Sequence, residues 1–451
     1  MKKLLAVSLI GFVLNSVVSC KAEEPKPNWP IVIEIKTTPG KQDTILANAA
    51  GITYKMMDAA IKFRSMLKLD QNYRSGVYVY DSKSITTYLT YPSKLAARLA
   101  LLGLKDVYLS ASKGAVDGSD ATRYIWTKNF NKAAHLYGLT VWALRLTSTS
   151  AFVSDAAITD ECTRILNFNL GLASNEKFDA VSADWEPHVL KQDGADTPSG
   201  LQYYWDSNTN YGIGGSNDML LKRTLDMFTL AKMSLGNLPI NEAIHYMYQN
   251  NYNSGLLSYG NTLQFLNSCD YVTVMTYTDT KEKVWSRGIS PVDNASGKPK
   301  KVSLCIKTSL NTYGDGGDTS TSLYPKGWDY LLESLSYFYS QGASKPGFRG
   351  IDFFEFEGLE QLWTTTDTST NISKQSVSKG SISYNNQTET LQFSDLITSD
   401  IVELYSLNGR LILRTKLTDS DAVSVQRYPK GNYLVRVVGG LDIPSTFKFT
   451  K

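Results

Sequence analysis

The sequence predicts a (β/α)8 barrel followed by a small all-β sandwich domain, and three observations carry that prediction. From residue 76 to residue 363, short strand-like runs alternate with longer helical patterns, which is typical of βα units around a parallel sheet. We count eight such strands, the number that closes a barrel of this kind. After Trp363 the composition changes to a threonine-rich stretch, and period-two alternation then returns.

The predicted strands share apolar, β-branched and aromatic residues between turn signals. They are Gly76–Asp81, Asp106–Ser112, Leu139–Thr147, Phe178–Glu186, Ala243–Gln249, Tyr271–Thr278, Lys301–Thr308 and Gly347–Phe356. Helices with apolar residues at three- and four-residue intervals are predicted at Ser93–Leu102, Ile125–Tyr137, Leu220–Leu235 and Trp328–Gln341. A doubly wound open sheet is the alternative, but it would call for a glycine-rich phosphate-binding turn after an early strand, and the sequence has none.

Composition and charge exclude several classes of function. The 451 residues are 42% hydrophobic, enough for a large core, and 46 Lys and Arg stand against 43 Asp and Glu without a long run of one sign. A nucleic-acid partner therefore has no electrostatic basis. The four cysteines and three histidines are too scattered for a zinc motif. The sequence predicts neither a metal site nor a cofactor.

The first residues predict export. Lys2 and Lys3 precede an apolar run that is too short to span a bilayer, so residues 1–19 read as a signal peptide. Residues 17–20 (Val-Val-Ser-Cys) resemble a bacterial lipobox, which implies that Cys20 is lipidated and anchors the mature chain. The alternative is an ordinary cleavable signal. Residues 20–75 form the tether and an N-terminal extension, with a strand-like run at Ile31–Ile35 and helix-compatible sequence at Tyr54–Leu69.

The C-terminal region is divided into a linker at 364–388 and a β-sandwich at 389–451. Strands are predicted at Glu389–Phe393, Ile401–Ser406, Leu411–Lys416 and Tyr433–Val438. Residues 402–410, 428–437 and 447–451 resemble the sorting domain of cargo for the type IX secretion system of Bacteroidota. This resemblance implies the type IX machinery as a partner. With Cys20 it implies a protein at the cell surface, attached to the outer membrane by lipid or sorting domain, or secreted. A plain carbohydrate-binding or spacer sandwich is the alternative.

The fourth predicted strand carries the candidate chemistry. Side chains alternate between the two faces of a strand, so Ser182, Asp184 and Glu186 point one way while Ala183 and Trp185 point the other. If the polar face looks into the barrel, both acids lie at its C-terminal mouth, where barrel enzymes hold their active sites. Mutual repulsion should raise the pKa of one acid, and a carboxyl that stays protonated is what a glycosidase needs as general acid.

This strand resembles the family 18 glycoside hydrolases, the chitinases and endo-β-N-acetylglucosaminidases, whose motif is D-x-x-D-x-D-x-E. Asp179, Asp184 and Glu186 match the first, third and last positions, and Ser182 occupies the second. The resemblance implies that Glu186 protonates the glycosidic oxygen and that Asp184 orients the substrate's 2-acetamido group, which is the nucleophile. In strand six, Tyr277 falls where the family places a tyrosine that bonds the acetamido oxygen. The implied partner is a glycan containing N-acetylglucosamine, cleaved by a retaining, substrate-assisted hydrolysis.

The motifs also depart from the family. Thr278 stands where the family has an aspartate, although Asp279 follows it. Phe354 stands where the family usually has a tryptophan at the base of the site. His188 is a candidate for contact with Glu186 or for capping a loop. The further candidates for binding substrate share an aromatic ring or a polar group near a predicted strand end: Ser182, Trp185, Tyr204, Trp205, Tyr248, Asp279 and Phe354.

Two alternatives to this hydrolase stay open. One is a non-catalytic glycan-binding protein, which the departures at Ser182 and Thr278 favour. The other is a hydrolase for sugars without the acetamido group, with Glu355 or Glu357 as the second carboxylate beside Glu186.

Overall fold

A computed structural model describes residues 41–80, 84–208, 213–310, 318–368, 381–385, 387–394, 401–406, 411–416, 422–438 and 446–451. The predicted signal peptide, the lipobox with Cys20, the tether and the strand-like run Ile31–Ile35 lie outside these ranges. Among the described helices, none has the length and apolar character needed to cross a membrane.

Eight parallel strands close into a barrel in chain order, which confirms the predicted fold class. The strands are β1 (Gly76–Tyr80), β2 (Asp106–Ser110), β3 (Thr140–Leu146), β4 (Ala180–Ala183), β5 (Ile240–His245), β6 (Tyr271–Met275), β7 (Val302–Lys307) and β8 (Phe348–Phe354). Closure joins β1 to β8 through the pairing of Val77 with Phe353.

Helices cover the outside of the barrel. The described helices are α1 (Lys41–Ala50), α2 (Tyr54–Met66), α3 (Pro92–Leu101), α4 (Lys113–Asp117), α5 (Ala121–Leu136), α6 (Asp155–Asn169), α7 (Ser216–Leu235), α8 (Met247–Asn253), α9 (Thr262–Ser268), α10 (Lys281–Asn294), α11 (Gly327–Gly342) and α12 (Phe356–Thr368). Most of the chain's buried hydrophobic side chains lie in the layer between these helices and the strands.

The fifth strand ends earlier than the alternation predicts. The backbone N–H of Met247 donates to Nδ1 of His245 at 3.2 Å, and the chain turns there into α8. The predicted strand Ala243–Gln249 is therefore wrong at both ends, since β5 begins at Ile240. As a consequence, Tyr246 and Tyr248 do not alternate on a strand.

Charged side chains fill the lower part of the barrel. Asp106 is fully buried and accepts hydrogen bonds from Arg74 at 2.8 Å, from Arg349 at 2.6 Å and from Trp142 Nε1 at 3.0 Å. Two arginines thus compensate a carboxylate that burial alone would make costly. Below this cluster, Gly350 has a φ of +151°, and a Cβ there would lie 1.9 Å from the carbonyl oxygen of Arg74. A residue without a side chain is needed where β8 passes so close to the start of β1.

The segment before residue 76 packs on the barrel. α2 lies where the sequence predicts helical structure, and its Phe63 ring stands 5.4 Å from the rings of both Trp328 and Phe353. Trp363 Nε1 donates to the carbonyl oxygen of Met56 at 2.7 Å. The described residues 41–75 therefore share the core of the barrel instead of standing apart as an extension.

The predicted linker starts too early. α12 continues to Thr368, and the hydroxyls of Thr364, Thr365 and Thr366 donate to backbone carbonyls three residues back at 2.8, 2.6 and 2.7 Å. These bonds accommodate threonines in a last helical turn. A strand at 381–385 also falls inside the range predicted as linker.

Two small antiparallel sheets form the C-terminal region, which confirms its all-β class. The three-stranded sheet has the order β13-β10-β9 and the four-stranded sheet the order β12-β11-β14-β15. Their strands are β9 (Ser381–Asn385), β10 (Thr390–Ser394), β11 (Ile401–Ser406), β12 (Leu411–Lys416), β13 (Ala422–Ser424), β14 (Asn432–Val438) and β15 (Thr446–Thr450). One hydrophobic cluster joins Leu391 of the first sheet to Val402, Leu404 and Val435 of the second.

Candidate active site

The end of β4 brings the two candidate acids to the mouth of the barrel. Ser182 points inward and is fully buried, and its Oγ accepts a hydrogen bond from Asn241 on β5 at 3.3 Å. Asp184 and Glu186 follow on the same face. Val181 and Ala183 pack in the layer between sheet and helices, and that apolar face fixes which way the acids point.

Trp185 does not line this mouth. Its side chain is 2% exposed and packs in the outer layer, with its ring 4.8 Å from the ring of Phe228 on α7. This placement argues against the prediction that Trp185 binds substrate, because the alternation that turns its two neighbours inward turns Trp185 outward.

Glu186 and Asp184 are both half-buried, and both have raised pKa values. The Glu186 side chain is 31% exposed, yet its surroundings raise its pKa well above the ordinary value, first through burial and then through the negative charge of Asp184. Burial also raises the pKa of Asp184. Its Oδ1 atom is buried and has no hydrogen-bond partner among the described residues. The pair therefore combines a partly exposed acid with a second carboxyl that has one buried acceptor atom to offer.

An aromatic floor lies across the barrel from these acids. The ring of Phe354, at the end of β8, stands 5.4 Å from the ring of Tyr277, 5.7 Å from that of Tyr80 and 6.0 Å from that of Tyr78. Burial raises the pKa of Tyr80 and of Tyr277, and in both cases the charge of Asp184 adds to the rise. Both phenols thus stay protonated, and both lie close enough to Asp184 to feel its charge.

A second group of rings flanks Glu186 on the other side. His188 Nε2 lies 3.5 Å from Glu186 Oε1, and His188 Nδ1 lies 2.6 Å from the Tyr248 hydroxyl. The ring of His245 stands 4.8 Å from that of His188, and the ring of Trp205 lies 5.7 Å from that of Tyr248. Residues from the turn after β4, from β5 and from α8 therefore meet beside the acid.

Most of the aromatic candidates around this mouth are covered by protein. Tyr248 is 1% exposed and Trp205 is 5% exposed, so neighbouring protein covers both rings, which argues against the prediction that they bind substrate. The cause is the path of the loop after β4, which returns so that Trp205 N–H donates to the carbonyl oxygen of Leu190 at 2.7 Å. Tyr204 is half-buried against the edge of the same core.

Two aspartates of the sequence motifs lie away from the acid pair. Asp279 pairs with Lys283 in the first turn of α10 at 3.2 Å, and that lysine holds the pKa of Asp279 below its usual value. Asp179 lies at the start of β4, where it accepts from Val141 N–H at 2.7 Å and contacts His135 Nε2 at 2.8 Å. Asp179 therefore ties β4 to β3 and α5, and the structure does not place Asp279 among the residues around Glu186.

Sequence reasoning missed several inward-facing residues near the acids. Tyr78 and Tyr80 occupy the inward positions of β1, and the Tyr78 hydroxyl is buried without a hydrogen-bond partner in the described part of the chain. Lys307 is buried at the end of β7, in alternation with the inward Cys305. The signal for all three was the same period of two that identified Glu186. In the described ranges, no group of three or more His, Cys, Asp or Glu side chains is arranged to hold a metal ion.

Comparisons with known proteins give structural likeness only. No protein-family model matches this chain, and no curated protein sequence matches it. A GH18 chitinase from Pseudoalteromonas aurantia is similar at 13% identity over 65% of this chain and 98% of that one, with a TM-score of 0.41. The spore cortex-lytic enzyme SleL from Bacillus cereus is similar at 10% identity over 76% of this chain and 86% of that one, with a TM-score of 0.40. A GH18 chitinase from Cycas revoluta in complex with (GlcNAc)3 is similar at 11% identity over 65% of this chain and 99% of that one, with a TM-score of 0.37. Similarity of this degree assigns no residue, and the roles below rest on the strands of this chain.

Proposed function

We propose that this protein is a retaining glycoside hydrolase that cleaves glycans containing N-acetylglucosamine, with Glu186 as the general acid. One observation carries the proposal: Glu186 is partly exposed and has a raised pKa, and it lies beside a half-buried Asp184 whose buried Oδ1 lacks a partner in the described residues. A protonated acid and a free acceptor two residues apart on one strand face suit a substrate that brings its own nucleophile.

The reaction begins at the substrate's 2-acetamido group. Its carbonyl oxygen attacks the anomeric carbon, while the Asp184 carboxylate accepts a hydrogen bond from the acetamido N–H and stabilises the positive charge that develops there. The glycosidic C–O bond breaks as Glu186 gives its proton to the leaving oxygen. The ionised Glu186 then takes a proton from water, which attacks the anomeric carbon and reopens the cyclic intermediate. Two inversions at that carbon give retention.

The aromatic floor positions the sugar in this scheme. The Tyr277 hydroxyl lies 3.8 Å from the Cys305 sulfur, a weak partner, so it is free to donate to the acetamido oxygen. Phe354 is half-buried and offers a face to the apolar side of the pyranose ring. Phe354 ends β8, and Tyr277 follows the end of β6, so both lie at the same mouth of the barrel as the acids after β4.

A non-catalytic glycan-binding protein is the second candidate. Thr278 is 2% exposed, and its hydroxyl lies 3.3 Å from Asp279 Oδ1, so no carboxyl takes the place beside Tyr277 where the family has one. Ser182 likewise leaves Asp184 without an acid below it. The third candidate, a two-carboxylate hydrolase, uses Glu355, which is 1% exposed and so less able than Glu186 to reach a water or a glycosidic oxygen.

A release assay separates the three candidates. Wild type, Glu186→Gln, Asp184→Asn, Glu355→Gln and Glu357→Gln are incubated with chitin oligomers, N-glycoproteins and peptidoglycan, and their folding is compared by circular dichroism. Turnover lost in the first two variants and kept in Glu355→Gln and Glu357→Gln supports the proposal. Binding without turnover in wild type supports the second candidate. Turnover that survives Asp184→Asn and resists a thiazoline inhibitor supports a hydrolase that does not use the acetamido group.

We also propose that the protein acts outside the inner membrane, because the signal-like N terminus, Cys20 and the C-terminal resemblance all point to export. In a Bacteroidota host, wild type, Cys20→Ser and a chain truncated before residue 389 are labelled with radioactive palmitate and fractionated. Label lost only in Cys20→Ser indicates a lipid anchor. Loss of surface protein only on truncation indicates the sorting domain.

A further inference from the structure

We propose that His188 is a positioning residue for Glu186, fixed in turn by the hydroxyl of Tyr248. The inference rests on the proposed function, since it concerns the residue named there as the general acid. It adds a contact that neither the motif nor the proposed mechanism includes.

The geometry forms a chain of three side chains. His188 Nε2 lies 3.5 Å from Glu186 Oε1, and Nδ1 of the same ring lies 2.6 Å from the Tyr248 hydroxyl. The first distance is slightly long for a hydrogen bond, and such contacts tighten when substrate closes a site. The second is a short, well-formed hydrogen bond.

The far end of this chain is rigid. Tyr248 is 1% exposed, and its ring lies between those of Trp205 at 5.7 Å and Phe265 at 6.4 Å. His188 lies in a single helical turn, Pro187–Val189, that begins directly after Glu186, and its side chain is 18% exposed. A buried phenol therefore holds the imidazole, and the imidazole faces the acid at a fixed place.

The charges around the ring keep it neutral. Burial lowers the pKa of His188 to about 3, with His245 on β5 and Lys191 in the following loop adding to the effect. Burial and Arg287 on α10 lower the pKa of His245 to about 4. The other titratable groups that face His188 are Glu186 and Tyr248. A neutral imidazole has one donor and one acceptor nitrogen. The tautomer proposed here has Nδ1–H donating to the Tyr248 oxygen, which leaves Nε2 to accept from protonated Glu186; the opposite tautomer would donate to Glu186 and favour its ionised form, so the pH profile below distinguishes the two.

This arrangement explains how Glu186 keeps its proton while a third of its side chain is exposed. The imidazole supplies an acceptor for the protonated carboxyl and excludes water from one side of it. Both effects favour the neutral form of an acid. Removing the ring admits water and removes the acceptor, so both consequences lower the pKa of Glu186.

The test is the pH profile of kcat/KM for His188→Ala, His188→Gln and Tyr248→Phe on the substrate that wild type hydrolyses. Gln is the conservative variant because its amide reaches the position of Nε2. We expect His188→Ala to move the alkaline limb down by about one pH unit and to lower kcat about tenfold, with KM changed less than threefold. His188→Gln should restore most of the position of the alkaline limb and most of kcat. Tyr248→Phe should move the alkaline limb down as well, but by a smaller amount.

A matched control is His135→Ala, since His135 contacts Asp179 near the opposite end of β4 and should leave the alkaline limb in place. If the His188→Ala limb coincides with that of wild type while the protein is folded and active, the inference is overturned and the proposed function stands. Infrared titration of the protonated carboxyl band, assigned with Glu186→Gln, gives a readout without turnover. A band that shifts in His188→Ala while wild type hydrolyses nothing supports the positioning contact and contradicts the proposed function.

Discussion

Glu242 offers a stability test that is independent of catalysis. It lies on β5 with its side chain 0% exposed, and neither carboxyl oxygen has a hydrogen-bond partner among the described residues. The backbone N–H groups of Trp185 and Ala243 lie near the carboxyl and favour its ionised form. Burial raises the pKa of Glu242 well above its ordinary value, and the charges of Asp184 and Glu186 add to the rise. The folded protein therefore holds a buried, protonated acid.

Replacing Glu242 with Met removes the polar group and approximately keeps its volume. Burying an unsatisfied polar group costs about 1–3 kcal/mol in protein mutational data, so the free energy of unfolding should rise by that amount at pH 4. Above about pH 4.3 the unfolded Glu ionises while the folded Glu does not. Wild type then loses about 1.4 kcal/mol for each pH unit until the folded pKa is reached. The advantage of Glu242→Met should grow with pH by the same slope.

Urea unfolding followed by tryptophan fluorescence measures this, because seven of the eight tryptophans lie between residues 126 and 363. Glu242→Gln is the matched control, since it removes the titration but keeps a buried polar group. We expect the stability of Glu242→Gln relative to wild type to grow with pH as it does for Glu242→Met. We do not expect Glu242→Gln to show the additional pH-independent gain that comes from removing the buried polar group. A Met variant whose advantage is the same at pH 5 and pH 8, or which is less stable than wild type throughout, would refute the assigned burial of this acid.

Three further outcomes follow from the placement of side chains around the mouth. Phe354→Ala should lower kcat/KM about tenfold through a higher KM, because it removes the floor ring at a cost of about 1.4 kcal/mol; a KM like that of wild type would contradict this. Asp279→Asn should leave kcat/KM within about twofold, since Asp279 pairs with Lys283, and a tenfold loss would place it in the site after all. Because burial depresses the pKa of His188 and His245 in the folded state, the contribution of these two histidines to stability is full above about pH 6.5 and is lost as pH drops towards 4. Thermal unfolding of wild type and a double Gln variant at several pH values measures it, and a difference between the two that does not change over this range would argue against it.

The period of two in the sequence was enough to predict the barrel and the inward acids. Along β4, apolar Val181 and Ala183 alternate with Ser182 and the acids, and only one orientation buries the apolar face. The same rule gives Phe354 its place on β8. These predictions depend only on the alternation of apolar and polar residues along each strand. That alternation follows directly from the burial of one face of the strand under helices.

The predictions that the structure does not support concern residues whose position depends on contacts between segments far apart in the chain. Tyr248 reads as the continuation of a strand, but a side-chain bond from His245 to the next turn ends β5 and starts a helix. Trp205 reads as an exposed ring in a polar loop, but the loop returns to Leu190 and covers it. The sequence leaves His188 open either to contact Glu186 or to cap a loop. Only the position of Tyr248 in the folded chain distinguishes these two roles.

The central claim is that Glu186 donates the proton to the leaving group, and a comparison of leaving groups tests it most directly. Wild type and Glu186→Gln are assayed on a natural N-acetylglucosamine oligomer and on a nitrophenyl glycoside of the same sugar, whose leaving group needs little protonation. The account predicts a loss of about a thousandfold or more on the oligomer and a much smaller loss on the activated glycoside. Equal losses on both substrates, or no loss on the oligomer, would contradict the role of Glu186 as the acid.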